Sequence, residues 1–211
     1  MGYLVEFYTG GGLVMHPLLI MLLAAIYFII NRFQTFAKDG ATSPGLLDEV
    51  VDLVKKGREG DALRRAEEGV GPVAASLATI LRNRNMPFED IEREVEVTGE
   101  EYFIKLEKFL PWLDTFTTLS PLLGLLGTIL GMVGVFQKFQ AAQRANQAGS
   151  DLLAGVGEAL YATAFGIAIA ITCFFFYNYF AARQRAISIE TQQAATKLLA
   201  VIHDQQVSRR V

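Results

Sequence analysis

The sequence has few residues that could form a cross-link, a metal site or a catalytic centre. Its single cysteine, Cys173, excludes an intrachain disulfide and a thiolate metal site. Its two histidines, His16 and His203, have no companion ligand at a useful spacing. Walker A and HExxH motifs are absent, and a pI near 5.5 gives no basic footprint for nucleic acid. We therefore expect no enzyme, no metal or cofactor, and no nucleic-acid partner.

Charged residues are scarce, and three stretches lack them completely. Only 19% of the residues are charged and 52% are hydrophobic, and the mean hydropathy is +0.31. Residues 13–30, 115–136 and 159–182 contain no Asp, Glu, Lys or Arg. Each stretch can span a hydrocarbon core, which takes about 20 helical residues. The sequence therefore predicts an all-α integral membrane protein with three transmembrane helices.

The basic residues predict the orientation of these spans. Of 19 Lys and Arg residues, 12 lie within 32–108, five within 183–211 and two within 137–154. Because basic loops stay in the cytoplasm, we expect the N-terminus outside and the C-terminus inside. Long helices are then expected to extend into one large cytoplasmic helical domain.

These patterns divide the chain into seven predicted segments. They are a short periplasmic N-terminus (1–12), transmembrane helix 1 (13–31), a cytoplasmic helical domain (32–108), transmembrane helix 2 (109–137), a periplasmic connector (138–154), transmembrane helix 3 (155–182) and a cytoplasmic C-terminal helix (183–211).

The cytoplasmic insertion is rich in helix formers separated by residues that end helices. Pro44 precedes LLDEVVDLVKK and Gly57 follows it. DALRRAEE ends at Gly69, and PVAASLATILRNR follows Gly71. Proline and glycine at these positions predict short antiparallel helices.

Apolar residues recur at helical spacing from Pro87 into the second span, which predicts one long helix bent by Pro111 and Pro121. The start of this helix is strongly acidic. We interpret the acidic residues as a solvated helix face, with a rim that attracts cations as the alternative. They are Glu89, Asp90, Glu92, Glu94, Glu96, Glu100 and Glu101.

Small residues form stripes on the second and third spans, and such stripes let helix backbones approach closely. We interpret them as packing surfaces, or as the lining of a narrow polar path. In the second span they are Gly124, Gly127, Gly131 and Gly134; in the third they are Ala159, Thr163, Gly166 and Ala170.

Two threonines occupy matching positions in these spans. Thr128 and Thr163 each lie eight residues from the expected outer end of their helix, or about 12 Å inward. Two hydroxyls at one depth could line a polar path, whereas a lone threonine commonly bonds its own helix backbone. Glu158 lies about 5 Å inside the third span. It is interpreted either as a functional acid or as an interfacial carboxylate favoured by the helix dipole.

No span carries an acid at its middle, although a proton-driven machine needs a titratable group partway across the membrane field. If this chain moves protons, a partner is expected to contribute the carboxylate. Asp114, at the cytoplasmic end of the second span, is interpreted as a solvated carboxylate.

The spans resemble the MotA/TolQ/ExbB proton-channel family. The resemblance is carried by LPWLDTFTTLSPLLGLLGTILGMVGVF, by GVGEALYATAFGIAIAITCFFFYNYF, and by an ExbB-like first span, GGLVMHPLLIMLLAAIYFIINRF. Two positions depart from the family pattern: Ser120 stands where Ala is frequent, and Asp114 where a small residue is common.

The resemblance implies a homopentameric ring in the bacterial inner membrane, with the second and third spans lining a pore. The pore would enclose two copies of a single-span ExbD/TolR-type partner, whose membrane Asp carries the proton. Thr128 and Thr163 match the family's pore threonines, and Glu158 matches the acid five residues before the second. The expected work is energising TonB-dependent outer-membrane transport through a TonB/TolA-type protein.

The sequence is also compatible with two alternative roles. The chain could be a TolQ-type subunit for envelope integrity, or part of a gliding or secretion motor. From a different class, it could be a membrane scaffold that conducts no ions. Alanine at Thr128 and Thr163 separates these classes, because only a proton machine should lose its work output.

Overall fold

The computed structural model describes residues 12–41, 43–144 and 152–208, and leaves out the side chains of 142, 152–155, 158, 159 and 206–208. The described residues fold into α-helices and contain no β-strand. The helices are α1 (Met15–Lys38), α2 (Leu46–Lys55), α3 (Glu59–Glu67), α4 (Gly71–Arg82), α5 (Phe88–Glu107), α6 (Leu110–Arg144) and α7 (Leu152–Ser208).

Three stretches are long and apolar enough to cross a membrane: Met15–Lys38, Phe88–Ala141 and Leu160–Gln205. They cover the three uncharged runs of the sequence except for residues 13, 14 and 159. The prediction of an all-helical protein with three candidate spans is therefore confirmed for the described residues.

A turn that includes Phe109 separates α5 from α6, so the prediction of one continuous helix through this region is wrong. Phe109 has a φ of 72°, a left-handed conformation that non-glycine residues rarely adopt. Its ring stacks on that of Phe28, with centroids 4.7 Å apart. Pro111 consequently falls in the first turn of α6, where a missing N–H has no consequence. Only Pro121 lies inside the helix.

The last helix, α7, is 57 residues long and includes both the predicted third span and the predicted C-terminal helix. From Ile167 to Ser208 the sequence contains neither Gly nor Pro. Nothing in this stretch therefore signals a helix end.

The chain divides into two compact units. The first, here called the span unit, contains the described residues up to Ile30 and those from Phe109 to Tyr179. The second, the insertion unit, contains the described residues from Asn31 to Lys108 and from Phe180 onward.

The span unit places small residues inside and large apolar residues outside. Ser120, Gly124 and Gly127 of α6 are buried, whereas Leu122 and Leu125 of the same helix are more than half exposed. This distribution is the reverse of a water-soluble core. It is typical of helices that pack through small residues while lipid surrounds their bulky side chains.

The insertion unit has an ordinary apolar core, which α2, α3 and α4 build with Ile91 of α5 and the last part of α7. Gly71, at the start of α4, has a φ of 89°, and the carbonyl of Ala41 occupies the space that a Cβ would need. An exposed ion pair, Lys197 with Asp48 at 2.9 Å, joins α7 to α2.

Arg32 is only 1% exposed although it is charged. Its Nη1 donates to the carbonyl oxygens of Lys105 at 2.8 Å and Leu106 at 3.1 Å. These carbonyls belong to the last turn of α5, where backbone acceptors lack helical partners. Arg32 therefore caps the C-terminal end of α5.

Candidate functional site

Within the span unit, α6 and α7 make backbone contact at glycines. A Cβ at Gly124 would lie 2.8 Å from the carbonyl oxygen of Ala162 and 2.9 Å from Cα of Thr163. A Cβ at Gly127 would lie 2.6 Å from Cβ of Ala162. Gly166 likewise leaves no space for a side chain. The predicted close approach of the two small-residue faces is thus present at these three glycines.

The hydroxyl groups of Thr128 and Thr163 meet at this contact. Their Oγ1 atoms are hydrogen-bonded to each other, and both face the carbonyl oxygen of Gly124. The distance to that oxygen is 2.9 Å from Thr163 and 3.2 Å from Thr128. The structure thus joins the two threonines that the sequence places at one depth, and Thr163 bonds across to the neighbouring helix.

The two hydroxyls and the carbonyl of Gly124 form one hydrogen-bonded cluster. Each hydroxyl is within donating distance of the carbonyl oxygen and of the other hydroxyl, and either hydroxyl can be the donor between the two threonines. Both Oγ1 atoms also have lone pairs that can accept a proton.

The close contact does not continue along the whole predicted glycine stripe. Gly131 and Gly134 are half-buried, and a Cβ at Gly134 would meet nothing within 4 Å. Gly134 therefore makes no close helix contact among the described residues, and its predicted role stays a prediction. Ala170 of α7 is buried, at 8% exposure, as a packing residue should be.

Of the two acidic candidates, Glu158 and Asp114, only Asp114 has a described side chain. Glu158 belongs to the helical backbone of α7, as does the packing candidate Ala159. The side chains of both lie outside the described residues, so their predicted roles stay predictions. Asp114 is exposed, which agrees with a solvated carboxylate.

Two residues of the helix contact were not singled out as packing residues from the sequence. Ser120 and Ala162 are both fully buried, and the hydroxyl of Ser120 donates to the carbonyl of Phe116 one turn earlier. Because Ser120, Gly124 and Gly127 follow a helical spacing of four and three, extending the stripe backwards would have found Ser120.

These features define a helical membrane protein with a hydroxyl cluster between two apolar spans. A sequence profile of the MotA/TolQ/ExbB proton channel family matches residues 68–193, which is more than half of the chain. The chain therefore belongs to the MotA/TolQ/ExbB proton channel family, which confirms the resemblance. The match includes α5, α6 and both threonines of the cluster. A comparison with curated proteins gave no match.

Proposed function

We propose that the chain is a stator subunit that uses proton-motive force to perform mechanical work, with a single-span ExbD/TolR-type partner. The observation that carries the proposal is the Thr128–Thr163 hydroxyl pair, which lies between two apolar helices of a proton channel family member. The proposed work is energising TonB-dependent outer-membrane transport through a TonB/TolA-type protein.

In this proposal the hydroxyl cluster relays protons to and from a carboxylate of the partner. One hydroxyl accepts a proton from the carboxylate or a water and passes its own proton to the other hydroxyl, which releases its proton to a water or to the carboxylate. Rotation of both hydroxyls then restores the starting arrangement, and the carbonyl of Gly124 accepts a hydrogen bond between transfers. Glu158 is assigned to the outer part of the path.

The proposed assembly is a homopentamer in the bacterial inner membrane, with the N-terminus outside and the C-terminus in the cytoplasm. The exposed apolar side chains of α6 and α7, such as Leu125, Ile129 and Phe174, support a chain that contacts lipid or further subunits. This function requires no enzymatic activity and no bound cofactor.

A non-conducting scaffold is the competing function, and one observation favours it. Both hydroxyls are already hydrogen-bonded inside the protein, as they would be if they only fastened α6 to α7. TolQ-type or gliding and secretion roles remain alternative uses of the same proton machine.

A measurement of proton flux distinguishes a proton-driven stator subunit from a non-conducting scaffold. The chain and an ExbD/TolR-type partner are reconstituted in vesicles, and acidification is followed with a pH-sensitive dye. We expect Thr128→Ala and Thr163→Ala to lose most of the flux, and the corresponding serine variants to retain it. Thr128→Ala removes one interhelical hydrogen bond and Thr163→Ala removes two. Each costs only about 1 kcal/mol in a membrane, so the assembly should persist.

Thr172→Ala is the matched control. Thr172 lies on the same helix, but it is exposed and its hydroxyl donates to its own helix at Ala168, 2.9 Å away. Its replacement should leave the flux unchanged. Normal flux in a Thr128→Ala, Thr163→Ala double variant would refute the proton path and favour the scaffold.

A further inference from the structure

A groove runs between α5 and the last part of α7 in the insertion unit, outside the uncharged runs of the sequence. Its volume is about 550 Å³. One wall carries Glu92, Glu96 and Glu100 of α5, and the other carries uncharged polar residues of α7, including Thr191 and Gln192. No lysine or arginine lines it.

The three glutamates form one row along the groove. They are spaced four residues apart, so they lie on one face of α5 and span about 12 Å. Like charges at this spacing disfavour a helix. All three are exposed, and none forms an ion pair within the part of the chain that the structure describes. The row is therefore an uncompensated negative surface.

The floor of the groove supplies a second, independent feature. Ser76 of α4 lines the groove and is completely buried. Its Oγ has no hydrogen-bond partner among the described residues, which is costly for a buried hydroxyl. Gly99 also lines the groove, beside Phe103. A Cβ at Gly99 would make only ordinary contact, 3.6 Å from the Phe103 ring.

The negative charge also continues beyond the groove, because α5 has eight acidic residues and two basic ones. A bound metal ion is a poor match for this surface. No group of three or more His, Cys, Asp and Glu side chains is placed to hold a metal within the described residues. A row of separated carboxylates above an apolar floor instead complements basic side chains that alternate with apolar ones.

We propose that this groove binds a basic amphipathic segment of another protein, with its Lys or Arg side chains against Glu92, Glu96 and Glu100. A helix with basic residues every fourth position has the same spacing as the glutamate row. Its apolar face covers Gly99 and Phe103. We infer that the side chains above Ser76 move aside on binding, so that an N–H donor of the segment reaches its Oγ. This inference does not depend on proton conduction.

The test measures binding of a fluorescein-labelled helical peptide, with lysine at every fourth position and leucine on one flank, to the full-length chain. The chain is held in nanodiscs of uncharged lipid, and Kd is read from fluorescence anisotropy. We expect Glu92→Gln, Glu96→Gln, Glu100→Gln together to raise Kd by about tenfold or more, because three ion pairs are lost. Ser76→Ala should raise Kd more modestly.

The matched control removes the same number of charges from the same helix. Glu89, Glu94 and Glu101 are exposed residues of α5 that do not line the groove, and replacing all three by Gln should change Kd by less than about twofold. If the two triple variants raise Kd equally, the peptide binds by general charge attraction, and the proposal is overturned. Absence of peptide binding by the unmodified chain would also overturn it.

A second copy of this chain is the other molecule that could occupy the groove. A native mass measurement distinguishes this case from binding of a segment of another protein. If the groove triple variant loses its oligomeric state while the control triple variant keeps it, the groove is a contact between copies and the proposal is wrong. An unchanged mass in both variants, together with selective loss of peptide binding, supports it.

Discussion

Gly166 on α7 lies against the carbonyl oxygen of Ser120 on α6, where a Cβ would overlap that oxygen. Such a Cβ would also lie 3.2 Å from Cα of Gly124. The two helices are therefore in contact through their backbones. In lipid, where no hydrophobic force drives helices together, such close packing is a main source of their association.

The first prediction is that Gly124→Ala destabilises the span unit. Its Cβ would collide with backbone atoms of Ala162 and Thr163 at 2.8 and 2.9 Å, and a backbone contact cannot be relieved by turning a side chain. We expect a loss of about 1–3 kcal/mol, as in other overpacked sites. Reversible unfolding in mixed detergent micelles measures it.

Gly134→Ala provides the comparison, since it lies on the same helix in open space. Alanine forms helix better than glycine, so this variant should be as stable as the original or slightly more stable. Similar destabilisation by both variants would contradict the specific role of the Gly124 contact.

The second prediction concerns Arg32. Replacing it by Met keeps much of the volume but leaves the carbonyls of Lys105 and Leu106 without their charged donor. Hydrogen bonds to charged groups contribute about 1.5–3 kcal/mol, so Arg32→Met should lower stability by an amount in that range. Lys38→Met, at an exposed site of the same helix, should have little effect.

Hydrogen exchange locates the effect of Arg32→Met. Faster amide exchange should be confined to the last turns of α5, whose carbonyls Arg32 caps. Unchanged exchange there, with normal stability, would show that Arg32 is not the cap of this helix.

The sequence predicts the elements of this protein better than their junctions. Charge-free runs locate the spans, and helical spacing places Thr128 and Thr163 at one depth on small-residue faces, because both depend on local sequence. Their hydrogen bond is a finding of the structure. The break at Phe109 has no such signal, since its positive φ occurs in a residue that normally avoids it.

Periodicity also shows which face of a helix carries small residues. It does not show over what length a neighbouring helix contacts that face. Gly124 and Gly134 read alike in the sequence, yet only Gly124 meets α7. Arg32 is the first charged residue after the predicted first span, 13–31. The role of Arg32 as a cap depends on α5. Sequence patterns near Arg32 cannot show this role, because its acceptor Lys105 lies 73 residues away.

The third prediction compares Glu158 with Thr163. Glu158→Gln should reduce proton flux less than Thr163→Ala, because Glu158 is predicted to lie only about 5 Å from the outer end of its span. Flux at several external pH values, in the same vesicles, makes the comparison. A complete loss of flux in Glu158→Gln would instead place an essential titratable group at that position.

The fourth prediction is the native mass of the purified chain after lipid and detergent are stripped in the gas phase. A homopentamer gives five times 23.2 kDa, or about 116 kDa. A monomer or dimer would favour the scaffold, or mean that the ring forms only around its partner. Co-expression with an ExbD/TolR-type protein separates these cases: a ring that needs its partner then appears at the pentamer mass plus that of the partner, whereas a scaffold keeps its smaller mass.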